Sequence, residues 1–130
     1  MNFKNNKAIY LQIAEQICDM ILLGDCKEEE RIPSVREYAA IVEVNFNTVM
    51  RSFDYLQSSG IIFNKRGIGY FVTSGAGEKI RSMRKEYFLK NEINDFFWQI
   101  YMLEIPVDEI VTMYNNYSKQ QKNKLYETNN

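Results

Sequence analysis

The chain has 130 residues, 45% of them apolar, with 16 basic and 17 acidic side chains, so it can bury one modest core but carries no bulk charge to draw it to nucleic acid. It contains no histidine, the commonest general base and metal ligand, and its two cysteines, Cys18 and Cys26, lack the spacing of a zinc or redox site. Catalysis, a metal and a cofactor are therefore not expected, and the cysteines read as buried or half-buried free thiols.

The amino-terminal segment MNFKNNKAIY has no apolar stretch of the signal-peptide kind, and no apolar run approaches the roughly 18 residues of a membrane span, so a cytoplasmic protein with reduced thiols is expected. A first helix is predicted over 8–23, because Ile9, Ile13, Ile17 and Met20 or Ile21 recur at three and four, and Gly24 stops it. The connector DCKEEER is a solvated surface in which Cys26 is the one inward-facing candidate. Pro33 leads into a second helix, where Ser34 and Glu37 form a capping box and Val35, Tyr38, Ala39 and Val42 supply the buried face. After a turn around Glu43 and Val44, Asn45 is the next N-cap, and Val49, Phe53 and Leu56 repeat at four and three along a third helix that ends at Ser58-Ser59-Gly60. Ile61 to Phe63 and Tyr70 to Val72 read as two short strands, joined by a turn in which Lys65 and Arg66 stand beside Gly67 and Gly69.

Helix, turn, helix and hairpin is the order of a winged helix-turn-helix, a module that reads DNA. Its expected extent is 1–74. These residues hold 8 Lys or Arg and 9 Asp or Glu, so charge placement, not net charge, must carry any DNA binding. Residues 75–130 form a helical tail: Ser74, Gly75 and Gly77 make a joint, and a long helix is predicted to about Leu103. Leu89, Ile93, Phe96, Ile100 and Leu103 form its heptad-like seam, which Phe97, Trp98 and Tyr101 widen. Pro106, Asp108 and Glu109 start a last helix with Ile110, Tyr114 and Tyr117 on its stripe, and beyond about Ser118 the polar end is expected to fray or be disordered. The fold class expected is mainly α (α+β), a winged helix-turn-helix with a two-stranded wing followed by a two-helix dimerisation tail.

Ile32-Pro33-Ser34-Val35-Arg36-Glu37, Val44-Asn45-Phe46-Asn47-Thr48-Val49, Arg51-Ser52-Phe53, Gly60-Ile61-Ile62 and Arg66-Gly67-Ile68-Gly69-Tyr70-Phe71-Val72 together resemble the DNA-binding head of the GntR family of bacterial regulators. The VNxNTVxR stretch and the short tail resemble the family's YtrA-like branch, whose members carry a small helical dimerisation region. The resemblance implies a transcriptional regulator, a repressor by preference, that binds double-stranded operator DNA as a homodimer. It also makes Arg36 the arginine of the family's PSxR motif, a usual DNA contact. Phe46 departs from the pattern where the branch commonly has proline, Glu29 stands where a turn glycine is usual, and Cys26 replaces a larger aliphatic.

The DNA-facing set is therefore Ser34 and Arg36 at the second helix, Phe46, Asn47, Thr48, Met50 and Arg51 on the third, and Lys65, Arg66, Gly67 and Gly69 on the wing. Asn47 would offer its amide to an adenine edge, Phe46 would pack on a thymine methyl, and Thr48 and Arg51 would bind phosphate. Each also has a plainer reading: Asn47 as a helix-start residue, Phe46 as a staple, Arg36 as the ion-pair partner of Glu43, and the wing as a solvated hairpin tip. In the tail, Leu89, Ile93, Phe96, Phe97, Trp98, Ile100 and Tyr101 form the dimer seam, or pack on the tail's own head, or line a small effector pocket for which the tail leaves little room. A protein-interaction module that uses the winged helix as scaffold and the aromatic tail as docking surface is the alternative from a different class.

Overall fold

The structure, a computed structural model, describes residues 7–129. Residues 1–6 and Asn130 lie outside it, and with them most of the segment read for a signal peptide and the last residue of the polar end. In chain order come α1 (Ile9–Leu23), α2 (Val35–Val42), α3 (Phe46–Ser58), β1 (Ile62–Lys65), β2 (Gly69–Val72), α4 (Ala76–Tyr87), a π-helical stretch Phe88–Glu92, α5 (Ile93–Met102) and α6 (Val107–Asn129). The protein is mainly helical with one two-stranded antiparallel wing, as its sequence pattern predicts.

The core forms around α3. Val49, Phe53 and Leu56 are fully buried on its inner stripe, against Ile13, Ala14, Ile17, Cys18 and Ile21 of α1 and Val35 and Tyr38 of α2. Ile9, expected at the head of the α1 stripe, is exposed instead, because it lies in the first turn at the lip of a surface hollow. Gly24 ends α1 in the left-handed conformation with φ +88, and its N–H donates to the Ile21 carbonyl at 3.2 Å.

Both caps of the helix-turn-helix are present. The Ser34 hydroxyl accepts the Glu37 N–H at 3.1 Å, and the Glu37 carboxylate accepts the Ser34 N–H at 3.3 Å. Glu43 closes α2 at φ +56, Val44 packs against the core, and Asn45 caps α3 by accepting the Asn47 N–H at 2.8 Å.

The wing pairs Ile62 with Val72, Phe63 with Phe71, Asn64 with Tyr70 and Lys65 with Gly69. Its other edge is occupied by the charged connector. Glu29 donates to the Val72 carbonyl at 2.8 Å, Ile32 to the Tyr70 carbonyl at 3.0 Å, and Val72 in return to the Glu30 carbonyl at 3.0 Å. The segment read as a solvated loop thus supplies a short third rung to the hairpin. Glu29 reaches its bond only at φ +66, a left-handed conformation that glycine adopts more readily than a residue with a side chain. Relief of that conformation is worth roughly 1–2 kcal/mol, and the extra freedom of an unfolded glycine takes back about 0.5–1 kcal/mol. Glu29→Gly should therefore raise the unfolding free energy by about 0.5–1 kcal/mol, read by urea denaturation. A fall would mean that the carboxylate stabilises more than the backbone costs.

The first compact unit runs through Lys85 and the second begins at Glu86, later than the boundary at 74 expected from the glycine joint. The reason is α4: Ala76 and Ile80 are buried in the head's core, and Arg84 pairs with Asp19 at 2.8 Å while donating to the Glu15 carbonyl at 3.2 Å. In the second unit the long helix predicted to Leu103 is interrupted by the π-helical stretch. α6 runs to Asn129, so the polar end, expected to fray or be disordered, is helical. That end contains no glycine or proline, and its Lys, Gln and Glu residues are good helix formers, so polarity alone was a poor guide. From Arg81 to Leu125 no residue is buried.

Candidate nucleic-acid interface

α3 presents its start to solvent. Phe46 is 45% exposed, Asn47, Arg51 and Asp54 are exposed, and Thr48 is half-buried. Asn45 takes the capping role, so the Asn47 side chain is left with no hydrogen-bond partner among the described residues. The plainer reading of Asn47, as the residue that starts the helix, falls to its neighbour. Met50, expected to face DNA with them, is only partly available. It lies one turn before Phe53 on the flank of the buried stripe, is half-buried and packs against the core.

Ser52 is fully buried, which its polarity concealed. Its hydroxyl donates to the Tyr10 carbonyl at 2.6 Å and lies 3.2 Å from the Thr48 carbonyl, so the hydroxyl fastens α3 to the first turn of α1 without leaving an unsatisfied polar group. Tyr10 was not singled out by sequence. It meets Tyr55 edge-on with centroids 6.4 Å apart, and the Arg51 guanidinium carbon stands 4.0 Å from the centre of its ring. No periodic signal links positions 10 and 51.

At α2, the Ser34 side chain is engaged in the cap, whereas Arg36 is exposed and makes no ion pair among the described residues. The pair with Glu43 is not formed. Arg31 takes the local acid, lying 3.9 Å from Glu37. The Arg31 side chain also lies over Gly69, 2.9 Å from where a Cβ would stand, and the backbone φ of +141 is what favours glycine here, since the flexible arginine could move aside. Gly67 turns the wing tip at φ +80 with open space around it. Lys65 rides on an aromatic pair: Phe63 and Phe71 stack with centroids 5.8 Å apart, and its Nζ is 4.5 Å from the Phe71 ring. That platform follows from the hairpin register, which puts the two rings opposite each other. Arg66 is exposed at the tip.

Elsewhere in the head, burial pushes the Cys18 thiol up to about 11, and burial followed by Asp25 and Glu30 raises that of Cys26, so neither is a ready thiolate at neutral pH. Burial, then the Asp54 carboxylate, raises the Tyr70 phenol. Among the described residues no helix is long and apolar enough to cross a membrane.

In the tail, Ile93 and Ile100 are half-buried, while Leu89, Phe96, Phe97, Trp98 and Tyr101 stand 47–75% exposed, in a unit where α6 adds Val111, Met113, Tyr114 and Tyr117 to the exposed apolar surface. The seam expected from the heptad spacing is thus divided, with its two isoleucines turned inward and its aromatics outward.

A capped helix pair with a tight turn, an exposed start to the second helix and a basic antiparallel wing together define a winged helix-turn-helix, the DNA-binding head of a transcriptional regulator. The family model for bacterial regulatory proteins of the gntR family matches residues 9–72. A putative GntR-family transcriptional regulator from Bacteroides thetaiotaomicron, of known crystal structure, is 60% identical and superposes with a TM-score of 0.76 over 88% of this chain and 99% of its own. Two Bacillus subtilis proteins are also similar. The HTH-type transcriptional regulator YhcF is 31% identical over 84% of this chain and 88% of its own length, and the HTH-type transcriptional repressor YtrA is 37% identical over 56% of each. The chain belongs to the GntR family, in its YtrA-like branch, and is a regulator, not an enzyme.

Proposed function

We propose that the protein is a cytoplasmic repressor that binds a palindromic operator as a homodimer, reading bases from the start of α3, phosphates from Arg36, Thr48 and Arg51, and an adjoining minor groove with Lys65 and Arg66. The observation that carries this reading is the division of labour at α3: Asn45 caps the helix, which leaves the Asn47 amide exposed and unpartnered. An amide so placed can bond an adenine edge bidentately in the major groove. The name of the similar YtrA repressor supports repression over activation. The homodimer is supported by the tail, whose exposed aromatics exceed what a soluble helix pair ordinarily leaves uncovered, and by the two-fold symmetry that paired half-sites demand.

Selection of bound duplexes from a random pool tests the whole reading. Two inverted half-sites are expected, with centres about one helical turn or a multiple of it apart. Recovery of no duplex at low salt would favour the interaction module instead. On the selected duplex, Asn47→Ala should weaken binding by about 1–3 kcal/mol and relax the preference at one position of each half-site. An unchanged selection profile for the variant would remove Asn47 from the reading set.

A further inference from the structure

An open hollow of about 400 Å³ lies beside the start of α3, lined by Ala8, Ile9, Tyr10, Asn47, Thr48 and Arg51. It holds one cation and no acid. Arg51 forms no hydrogen bond or ion pair among the described residues, and its one recorded partner is the Tyr10 ring at 4.0 Å. Tyr10 is itself fixed three ways. It sits in the first turn of α1, its carbonyl accepts the Ser52 hydroxyl at 2.6 Å, and its ring meets Tyr55 at 6.4 Å.

A long arginine side chain loses much rotamer freedom when it binds, and whatever restrains it beforehand reduces that loss. A carboxylate would restrain it too, but would cancel its charge and occupy its donors. An aromatic face does neither, since a ring attracts the cation without accepting its N–H groups as an acid does. Resting on the DNA-binding reading above, we infer that Tyr10 is a positioning residue for DNA recognition: it holds Arg51 at the hollow so that the guanidinium meets a backbone phosphate next to the bases reached by Asn47. The first turn of α1, outside the helix-turn-helix proper, is thereby part of the interface.

The test uses the full chain and its selected, fluorescein-labelled duplex, with anisotropy titrations at several salt concentrations and thermal unfolding of each variant as control. Tyr10→Ala should weaken binding about two- to fivefold, the range expected for an exposed cation–ring contact, and Tyr10→Phe should stay within about twofold of the parent. Tyr10→Leu, which fills the space without a ring, should match the alanine variant and replaces it if alanine prevents folding. Arg51→Ala should lower the slope of log affinity against log salt by about 0.9, one phosphate's worth, and in that background Tyr10→Ala should change nothing further. Tyr10→Phe as weak as Tyr10→Ala would overturn the inference, because the hydroxyl would then touch DNA itself. An undiminished Tyr10 effect without Arg51 would overturn it as well. Either result leaves the DNA-binding reading intact, whereas a parent protein that binds no duplex at low salt overturns both.

Discussion

Phe53→Ala should lower the unfolding free energy by about 3–5 kcal/mol, the most damaging single truncation expected in the head. The side chain is fully buried, and its ring joins three elements: it lies on α3, 6.2 Å from the Tyr38 ring of α2 and 5.0 Å edge-on from the Tyr70 ring of β2. Removing it leaves a void where the recognition helix, its partner helix and the wing meet, and none of the three can collapse into that void without moving the other two. Against a total stability of about 5–15 kcal/mol, much of the folded population is at stake. Urea denaturation followed by helical circular dichroism reads the effect, with Phe46→Ala on the exposed end of the same helix as control, expected to change stability by no more than about 0.5 kcal/mol. A loss for Phe53→Ala no larger than the control's would remove it from the centre of the core.

The second large effect is expected in assembly. If the tail pairs two copies through its aromatic surface, Phe97→Asp should convert a dimer to a monomer in sedimentation velocity runs at micromolar concentration. Phe97 is 53% exposed, with Trp98 at 62% and Tyr101 at 75% beside it on α5. Trp98 and Tyr101 lie 6.2 Å apart, which makes a ring cluster of the kind that anchors interfaces. Burying an unpaired carboxylate among such rings costs several kcal/mol, enough to exceed the surplus that holds a small interface together. Affinity for a two-half-site duplex should then fall by about 10²–10⁴, because each head binds alone. A Phe97→Asp protein that still sediments as a dimer would place the interface elsewhere.

What could be read from the sequence was the part governed by short-range spacing. Ser34 with Glu37, Asn45, and the Val49–Phe53–Leu56 stripe each act within a turn or two of helix, and all are found as expected. Gly67 and Gly69 likewise announce a tight turn. What escaped depends on pairing between distant positions. The connector Glu28-Glu29-Glu30 has the composition of a solvated loop, yet its backbone pairs with β2, and a strand's hydrogen bonds do not depend on side-chain type. Nothing local marks Ser52 for burial, because the carbonyl that accepts its hydroxyl belongs to Tyr10, forty-two positions away. The narrow Val49–Phe53–Leu56 stripe leaves Met50 outside, whereas a core-facing helix buries a wider arc that partly takes it in. Helix persists beyond Ser118 despite low hydropathy, because helix propensity and hydropathy are separate properties.

The bonds between the connector and β2 bear on how the head meets a duplex. A hairpin attached only at its root can pivot, and each pivoting angle would present its basic tip at a different distance from the helix in the neighbouring groove. Here the hairpin is laced to residues 29–32, and two residues later the same segment becomes the Ser34 cap of α2. Wing and helix pair are therefore set as the two jaws of a fixed-gauge caliper. On the DNA-binding reading proposed above, a duplex whose groove widths do not suit that gauge would itself have to deform, and sequences would then be discriminated by their stiffness at base pairs the protein never touches.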